Sequence, residues 1–420
     1  MRSHRIPGTR RLVTLFGLAA LIAGGVASQG SAGGLYVNEF GTSAQGAVGA
    51  GGAAWAEDAS VLIYNPAAMT RLEDHGLAMG FQGIFGEIEF DPSSNSPGTG
   101  GDGGNQAGFA PVASASYVHR LTDRLRFGLG FYSISGSVLD PSDRWQGRFE
   151  VTELSLLTIS LSPALAVRVT DWLSLGAGPI ITYGQLEWDL RVALPGPGNN
   201  EGKVKIDVDD VRAAGRFGAF LSPHEDLDIG VFYQSETELQ LDGDLDIPIG
   251  AQVGLGLDLD LAQLVNVAFN WRATDRLSLL GTFAWEDWST LDTVPVSTAR
   301  GSLRAPLGFK DTYKVLAGVH YRLSDDWLLQ TGVGWDSSPL DSDDRSTALP
   351  IDEQYRFAFG AIHDLTESLD LGFSFTYVNL GASRVRNPTI RGDYDRNHLF
   401  VFGVTLAFDK LKWSGRGSFD

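Results

Sequence analysis

Thr312-Tyr313-Lys314-Val315-Leu316-Ala317-Gly318-Val319-His320-Tyr321-Arg322-Leu323 is the stretch that decides between the folds open to this chain. Its odd positions read Tyr, Val, Ala, Val, Tyr, Leu, and its even positions read Thr, Lys, Leu, Gly, His, Arg. One face is greasy and the other largely wet, the period-two signature of a strand between unlike surroundings. The pattern recurs in Val265, Val267, Phe269 and Trp271 against Asn266, Ala268, Asn270 and Arg272. It recurs again in Leu157, Ile159, Leu161, Leu165 and Val167 against Thr158, Ser160, Ser162 and Arg168. A soluble sandwich with its apolar face inward produces the same alternation. Length separates the two: many of these runs are about twice the ~5–6 residues of an ordinary strand, as a strand tilted across a bilayer requires.

Working outward, a small polar pair followed by an alternating run recurs at Thr122-Asp123, Thr170-Asp171, His224-Glu225, Thr274-Asp275, Ser324-Asp325 and Thr366-Glu367, spaced 48, 54, 50, 50 and 42 residues apart. A propeller blade of that period needs four short strands, whereas here two long runs and one Gly- and Pro-rich segment separate successive turns. Six tight turns with both barrel ends on the turn side give seven hairpins, hence 14 strands, the even number that closure requires when an open edge has no water to satisfy it. The longer connections, roughly 92–106, 139–152, 194–204, 243–260, 291–307, 337–352 and 384–396, are expected to face outward. Trp172 and Trp327 at the short turns, and Trp188, Trp285, Trp288 and Trp335 near the long loops, suggest two interfacial belts. The last strand, 398–408, ends on aromatic Phe408, and the tail 409–420 has no assignable role.

At 420 residues, 43% hydrophobic, the chain suits either several soluble domains or one large barrel. Residues 1–32 read as a secretory signal peptide: four arginines precede the apolar run Leu12–Ala23, and Gly30, Ser31 and Ala32 follow. The alternative, a single membrane anchor, is disfavoured because the run is short. The formal charge is −19, and removing that segment takes four of the 32 Lys and Arg and none of the 51 Asp and Glu, leaving −23. Nucleic acid is thereby excluded as a partner. With no cysteine there is no disulfide or thiolate site. No later stretch nears the ~18 apolar residues of a spanning helix, so any spanning is done by strands.

Residues 33–71, GGLYVNEFGTSAQGAVGAGGAAWAEDASVLIYNPAAMTR, neither alternate nor carry a helix-length apolar face. They are too poor in large apolar side chains to fold alone and read as a plug for the barrel 72–408.

Within that plug, Leu35-Tyr36-Val37-Asn38-Glu39, Ala56-Glu57-Asp58-Ala59-Ser60 and Tyr64-Asn65-Pro66-Ala67-Ala68-Met69 resemble the N-terminal hatch of the FadL-type outer-membrane long-chain fatty-acid transporters. Gly308-Phe309-Lys310-Asp311-Thr312-Tyr313, Asp326-Trp327, Thr331-Gly332 and Asp336-Ser337-Ser338-Pro339 are similar to the C-terminal half of the same family. The resemblance implies an all-β, 14-stranded antiparallel transmembrane barrel with a hatch in its lumen, in the outer membrane of a Gram-negative bacterium, among lipid and lipopolysaccharide. It implies a monomer without cofactor that passes long-chain fatty acids or similar hydrophobic compounds by diffusion. A ligand would land among the outer loops, move to a pocket against the hatch and leave sideways through the wall, an acyl chain thereby avoiding free water. Close relatives pass aromatic hydrocarbons instead.

Candidate site residues follow from this reading. Lys310, in the family's GFKD motif, is the candidate cation for the ligand carboxylate, with Arg191 as a second, because an unpaired charge in an apolar pocket is expensive. Phe40 on the plug, and Ile247, Ile249, Val253 and Leu255 in an outer loop rich in apolar residues, are expected to contact the ligand. Asn38, Glu39, Asp58, Asn65, Pro66 and Ala67 are the expected hatch residues. Asn65-Pro66-Ala67 reads equally as a plain turn and as a movable one beside the wall gap. Gly128, Gly130 and Gly136 in the third strand mark either a lateral gap or ordinary curvature. The clusters Asp242, Asp244, Asp246 and Asp341, Asp343, Asp344 read as solvated loop charge, without the spacing of an EF-hand. Gly46, Gly49, Gly51 and Gly52 lack the lysine of a phosphate loop, and no nucleophile elbow occurs, so no metal and no catalytic residue is expected. Two rivals stay open: a general aqueous porin and an outer-membrane lipid hydrolase.

Overall fold

The computed structural model describes Tyr36 and residues 38–409, apart from 196, 198, 199, 249 and 300. The signal-peptide reading of 1–32 and the tail from 410 onward lie outside the described residues.

Fourteen antiparallel strands form the wall: β1 (Gly76–Pro92), β2 (Phe109–Arg120), β3 (Leu125–Tyr132), β4 (Glu153–Arg168), β5 (Leu173–Ala193), β6 (Glu201–His224), β7 (Leu227–Gln234), β8 (Leu264–Arg272), β9 (Leu277–Glu286), β10 (Thr312–Ser324), β11 (Trp327–Asp336), β12 (Gln354–Thr366), β13 (Leu369–Asn379) and β14 (Arg391–Asp409). Each pairs with the next, and β14 pairs with β1 through Leu77↔Phe408, Phe81↔Val404 and Phe85↔Phe400, so the cylinder closes. Closure removes the row of unpaired N–H and C=O groups that lipid cannot solvate.

The sense of the alternation is that of a membrane barrel. Leu157, Ile159, Leu161, Leu165 and Val167 point out and are exposed, whereas Thr158, Ser160 and Ser162 between them are buried in the lumen. Phe81, Phe85, Phe109, Phe131, Phe357, Phe359 and Phe402 extend the greasy outer face around the circumference. A soluble sandwich reverses this arrangement.

Two connections expected as loops are strands. Thr237–Ile247 and Ala251–Leu261 form a hairpin that extends the upper part of β6, and Thr293–Thr298 with Gly301–Pro306 form a second one beside it. Their leucines explain this: Leu239, Leu241, Leu245, Leu255, Leu257, Leu259 and Leu261 share one face and are buried against Ile206, Val208, Val294 and Val296. The intervening aspartates, including Asp242, Asp244 and Asp246, face solvent. Trp188 and Trp288 belong to this apolar cap rather than to an interfacial belt: both are buried, and their indoles donate to Glu150 O and Glu286 Oε2.

The cap is tied together by a buried carboxylate. Glu150 accepts from Ser346 Oγ (2.9 Å), Thr347 N and Oγ1 (2.8 Å each), Asn387 Nδ2 (2.7 Å) and Thr389 Oγ1 (2.5 Å), joining three outer segments. Glu150→Ala leaves those donors without an acceptor in a dry core, a loss of about 2–4 kcal/mol. The expected outcome is faster protease cleavage within 337–353 while the barrel itself stays heat-resistant on a gel.

Inside the cylinder, residues 38–72 run as a compact segment of short turns bonded to strands around the circumference. Gln45 Nε2 donates to Thr376 Oγ1 on β13 (3.0 Å), Gly51 N to Thr282 Oγ1 on β9 (2.9 Å), and Thr70 Oγ1 to Ser174 Oγ on β5 (2.7 Å). Buried Arg216 on β6 reaches the carbonyls of Leu62 and Ile63. Bare wall positions let the segment approach: a Cβ on Gly128 meets Met69 Sδ at 2.3 Å, and one on Gly80 meets Gly41 O at 1.5 Å.

Candidate ligand cavity and the wall beside it

The cavity lies between the start of the internal segment and strands β3, β7, β8, β9 and β10. Apolar and aromatic side chains dominate its lining: Tyr36, Phe40, Tyr64, Tyr132, Ile134 and Phe232. Phe40 sets its ring edge-on to Tyr64 and Tyr132, at 5.7 and 5.9 Å between centroids. Burial pushes the phenols of Tyr36 and Tyr64 far above their ordinary range, so both stay neutral. The free volume is about 80 Å³, well below the ~300–1,000 Å³ that encloses a drug-sized ligand. A long chain enters only if part of the lining moves.

One end of the cavity is ionic. Lys314 Nζ donates to Asn38 Oδ1 (2.5 Å) and to Glu286 Oε1 (2.8 Å), with Asp336 Oδ1 at 3.8 Å. Asp336 in turn pairs with Arg356, whose Nε donates to Glu39 Oε1 at 3.2 Å. All five charged groups are buried. Strand register assembles them: Lys314 on β10 lies directly across from Asp336 on β11, and Arg356 on β12 sits one diagonal further, opposite Gly334. Alternating signs and hydrogen bonds make such burial tolerable.

The lysine in this cavity is Lys314 and not Lys310. Lys310 is half exposed, its side chain 49% accessible, and bonds to Asp341 at 2.6 Å on the outer rim. It precedes β10 in a connection where Gly308 adopts a positive φ, so the strand's inward register does not apply to it. Lys314, 8% accessible, is buried. Arg191 sits at the outer end of β5 and pairs with Asp143 at 3.1 Å, away from the cavity. Leu255 is buried in the cap, and Ile247 and Val253 pack against it half-buried, so these residues are not an exposed apolar loop; Ile249 lies outside the described residues. Of the expected ligand contacts, Phe40 lines the cavity. From the internal segment, Asn38 meets Lys314 as a neutral amide and Glu39 pairs with Arg356 behind it. Asp58 Oδ1 accepts from Ser60 N at 2.7 Å, ahead of the short helix Val61–Tyr64.

Asn65-Pro66-Ala67 is a packed turn. The Asn65 amide donates to Ala53 O (2.9 Å) and Ala219 O (3.0 Å), and its Oδ1 accepts from Ala67 N (3.0 Å), capping the 3-10 turn Pro66–Arg71. It rests on Gly176 of β5 and Gly218 of β6, not beside a break in the wall.

The break is elsewhere in the third strand than Gly128 and Gly130, which lie in an unbroken ladder and make room for Met69 and Leu62. Tyr132 pairs with Ser160 and Gly136 with Leu157, so three residues, Ser133–Ser135, oppose two on β4. One extra residue makes a bulge there, and Gly136 begins the short strand Gly136–Leu139 just beyond it. Pairing between β2 and β3 stops at Ala115↔Phe131, which leaves Phe109–Ser114 without a ladder partner on that side. Ser114 Oγ donates to Gly41 O (3.1 Å), so the internal segment covers the opening from within. Tyr132 and Ile134, at the bulge, also line the cavity.

The protein thus combines a closed barrel with polar inward positions, an internal segment and a largely apolar cavity beside a wall opening. Residues 23–404 match the family model described as outer membrane protein transport protein (OMPP1/FadL/TodX). The chain belongs to this family. OMPP1/FadL/TodX proteins are transporters of hydrophobic compounds rather than enzymes, and this one resides in the outer membrane. It is 24% identical to the long-chain fatty acid transport protein of Salmonella typhi over 88% of this chain and 92% of that one. Its fold is similar to a Pseudomonas aeruginosa FadL homologue, with a TM-score of 0.83 at 20% identity, covering 90% of this chain and 99% of the other. The Pseudomonas putida toluene transporter TodX gives a TM-score of 0.68 at 16% identity, over 88% and 98%. The motif lysine at 310 lies on the rim, whereas the cavity is lined by Lys314. The inward register of 312–323 is the sequence signal that points to the latter.

Proposed function

We propose that this OMPP1/FadL/TodX protein admits long-chain fatty acids, with the carboxylate held at Lys314 and the acyl chain along Tyr36, Phe40, Tyr132 and Ile134. The observation that carries this is an apolar cavity ending on a buried lysine whose contacts include a neutral amide from the internal segment. A bound carboxylate exchanges that amide for a charge-assisted pair, which is stronger in a dry site. The internal segment acts as the hatch, and the bulge at Ser133–Ser135 is the exit toward lipid, since the cavity already reaches Ile134.

Purified protein titrated with oleate and oleyl alcohol tests this: oleate is expected to bind at least about tenfold tighter, one charge-assisted contact. Equal affinity rejects carboxylate recognition. The aromatic lining favours a second reading, passage of small aromatic hydrocarbons. Toluene displacing oleate with comparable affinity supports it. For the exit, Ser133→Arg, at the bulge but outside the cavity lining, is expected to slow oleate uptake by cells while leaving binding to purified protein within about twofold. Unchanged uptake rejects the lateral route.

A further inference from the structure

The ionic end of the cavity holds three carboxylates, Glu39, Asp336 and Glu286, and two cations, Lys314 and Arg356. It is already one negative charge in excess. A ligand carboxylate added to it has to push one of the three out, because a further uncompensated anion in so dry a site is prohibitive.

The three differ in how they are held. Glu286 is fixed at the end of β9 and accepts from Trp288 Nε1 (2.9 Å), Thr312 Oγ1 (3.3 Å) and Lys314. Asp336 stands on β11 within a continuous ladder, opposite Lys314 on one side and Gln354 on the other. Glu39 alone comes from the hatch, from a stretch outside any wall strand. Its carboxylate is held to the wall by the ion pair to Arg356, and its carbonyl by the Gln82 amide on β1 (3.0 Å). Its neighbour Asn38 occupies Lys314, and Asn38 Nδ2 is buried with no hydrogen-bond partner among the described residues. Adjacent hatch residues thus sit on both wall cations, one as a carboxylate and one as an amide with a spare donor.

We infer that Glu39 is a tethered stand-in for the ligand's carboxylate, and that a fatty acid releases the hatch by taking its place. The inference rests on the carboxylate reading of Lys314 and extends it to Arg356. An acid arriving at Lys314 displaces the Asn38 amide and accepts from the wall cations, while Glu39 withdraws toward water with residues 38–41. Those residues include Gly41, whose carbonyl is bonded to Ser114 at the wall opening. Exchange of carboxylate for carboxylate keeps the net charge of the cluster constant. A neutral ligand with the same tail fills the cavity but has no charge with which to replace Glu39. It therefore does not shift the hatch, since a ligand moves an equilibrium only through its differential affinity for the two states.

The chain has no cysteine, so Ser43→Cys near the start of the hatch gives a unique thiol for labelling in the purified full-length protein. Saturating oleate is expected to raise the labelling rate at position 43 several-fold, and oleyl alcohol to leave it unchanged. In the Glu39→Gln background the thiol is expected to label fast without ligand. Oleate affinity is expected to rise about tenfold there, one charge-assisted contact no longer opposed, with oleyl alcohol affinity unaltered. Equal acceleration by acid and alcohol, or unchanged oleate affinity in Glu39→Gln, overturns the exchange. Glu39→Asp, which keeps the charge but draws it back from Arg356, serves if the glutamine variant fails to fold. Intermediate oleate affinity supports the exchange and wild-type affinity overturns it. Loss of the oleate preference in Lys314→Met without any effect of Glu39 changes rejects the exchange and leaves carboxylate recognition standing. No oleate preference even in the unmodified protein rejects both.

Discussion

Gly80→Val is expected to unseat the hatch and turn a closed protein into a leaky one. Gly80 lies on β1 with its bare face inward, where an added Cβ falls 1.5 Å from Gly41 O and 2.5 Å from Gly41 C. These are backbone atoms, so no rotamer change relieves the overlap. Either β1 or the segment around Gly41 has to shift. β1 is held on both edges, by β2 through Gly80↔Ser114 and by β14 through Gly80↔Thr405, and closure of the cylinder resists its displacement. Among the described residues Gly41 is held only by side chains, the Ser114 hydroxyl and the Gln82 amide, which yield before strand ladders do, so the hatch gives way. Removing 38–42 from the wall also withdraws Phe40 from the cavity and Glu39 from Arg356. Leaving buried Arg356 with one carboxylate fewer contributes a further cost of about 2–4 kcal/mol. In planar bilayers the variant is expected to conduct steadily where the unmodified protein is closed, and cells carrying it are expected to admit a polar dye. A closed trace with wild-type oleate binding contradicts the packing described above. Gly83→Val is the control: its Cβ points outward toward Phe109 and Phe85, whose rings have lipid to move into.

Much of this arrangement was legible in the sequence, and the reasons it stopped being legible are physical. The strand count came from the short turns, which announce themselves because Asp, Thr and Ser bond to local backbone in tight connections: Thr122 Oγ1 accepts from Leu125 N, and Thr170 Oγ1 from Leu173 N. The orientation of the alternation was legible from run length, since only a bilayer needs strands so long. The outer hairpins were missed although Leu239, Leu241, Leu245 and Leu255, Leu257, Leu259, Leu261 alternate as plainly as any wall strand. Their glycines and aspartates read as loop, and the apolar partner face on β6 that buries them is distant in sequence. Trp188 and Trp288 misled for the same reason: an indole near a long loop suits an interface or a cap equally. At the cavity, periodicity placed Lys314 on the wet face of its strand. It could not reveal that Glu286, Asp336 and Arg356 stand next to it on three other strands. That proximity depends on cross-strand register, which a one-residue slip reverses. Of the three glycines singled out in the third strand, Gly136 borders the bulge at Ser133–Ser135, whereas Gly128 and Gly130 provide clearance for Met69 and Leu62, a difference that composition does not reveal.

Lys314→Met is the change expected to act most strongly on both stability and selectivity, and the two effects can be taken apart. Removing the ammonium leaves Glu286 and Asp336 facing each other across a dry site with Arg356 as the only cation, a destabilisation of about 3–5 kcal/mol. The urea midpoint is expected to fall accordingly. Adding Glu286→Gln removes one of the stranded carboxylates, since the amide still accepts from Trp288 Nε1 and Thr312 Oγ1 as Glu286 Oε2 does. The double variant is therefore expected to recover most of the lost stability. Recognition follows a different course: neither variant has a cation at 314, so both are expected to bind oleate no better than oleyl alcohol. A stability loss that Glu286→Gln repairs, together with an oleate preference that it does not, assigns Lys314 to the ligand as well as to the fold. If the double variant regains the preference for the acid along with its stability, Lys314 serves only to neutralise its neighbours. The charge that selects the ligand then has to be sought at Arg356.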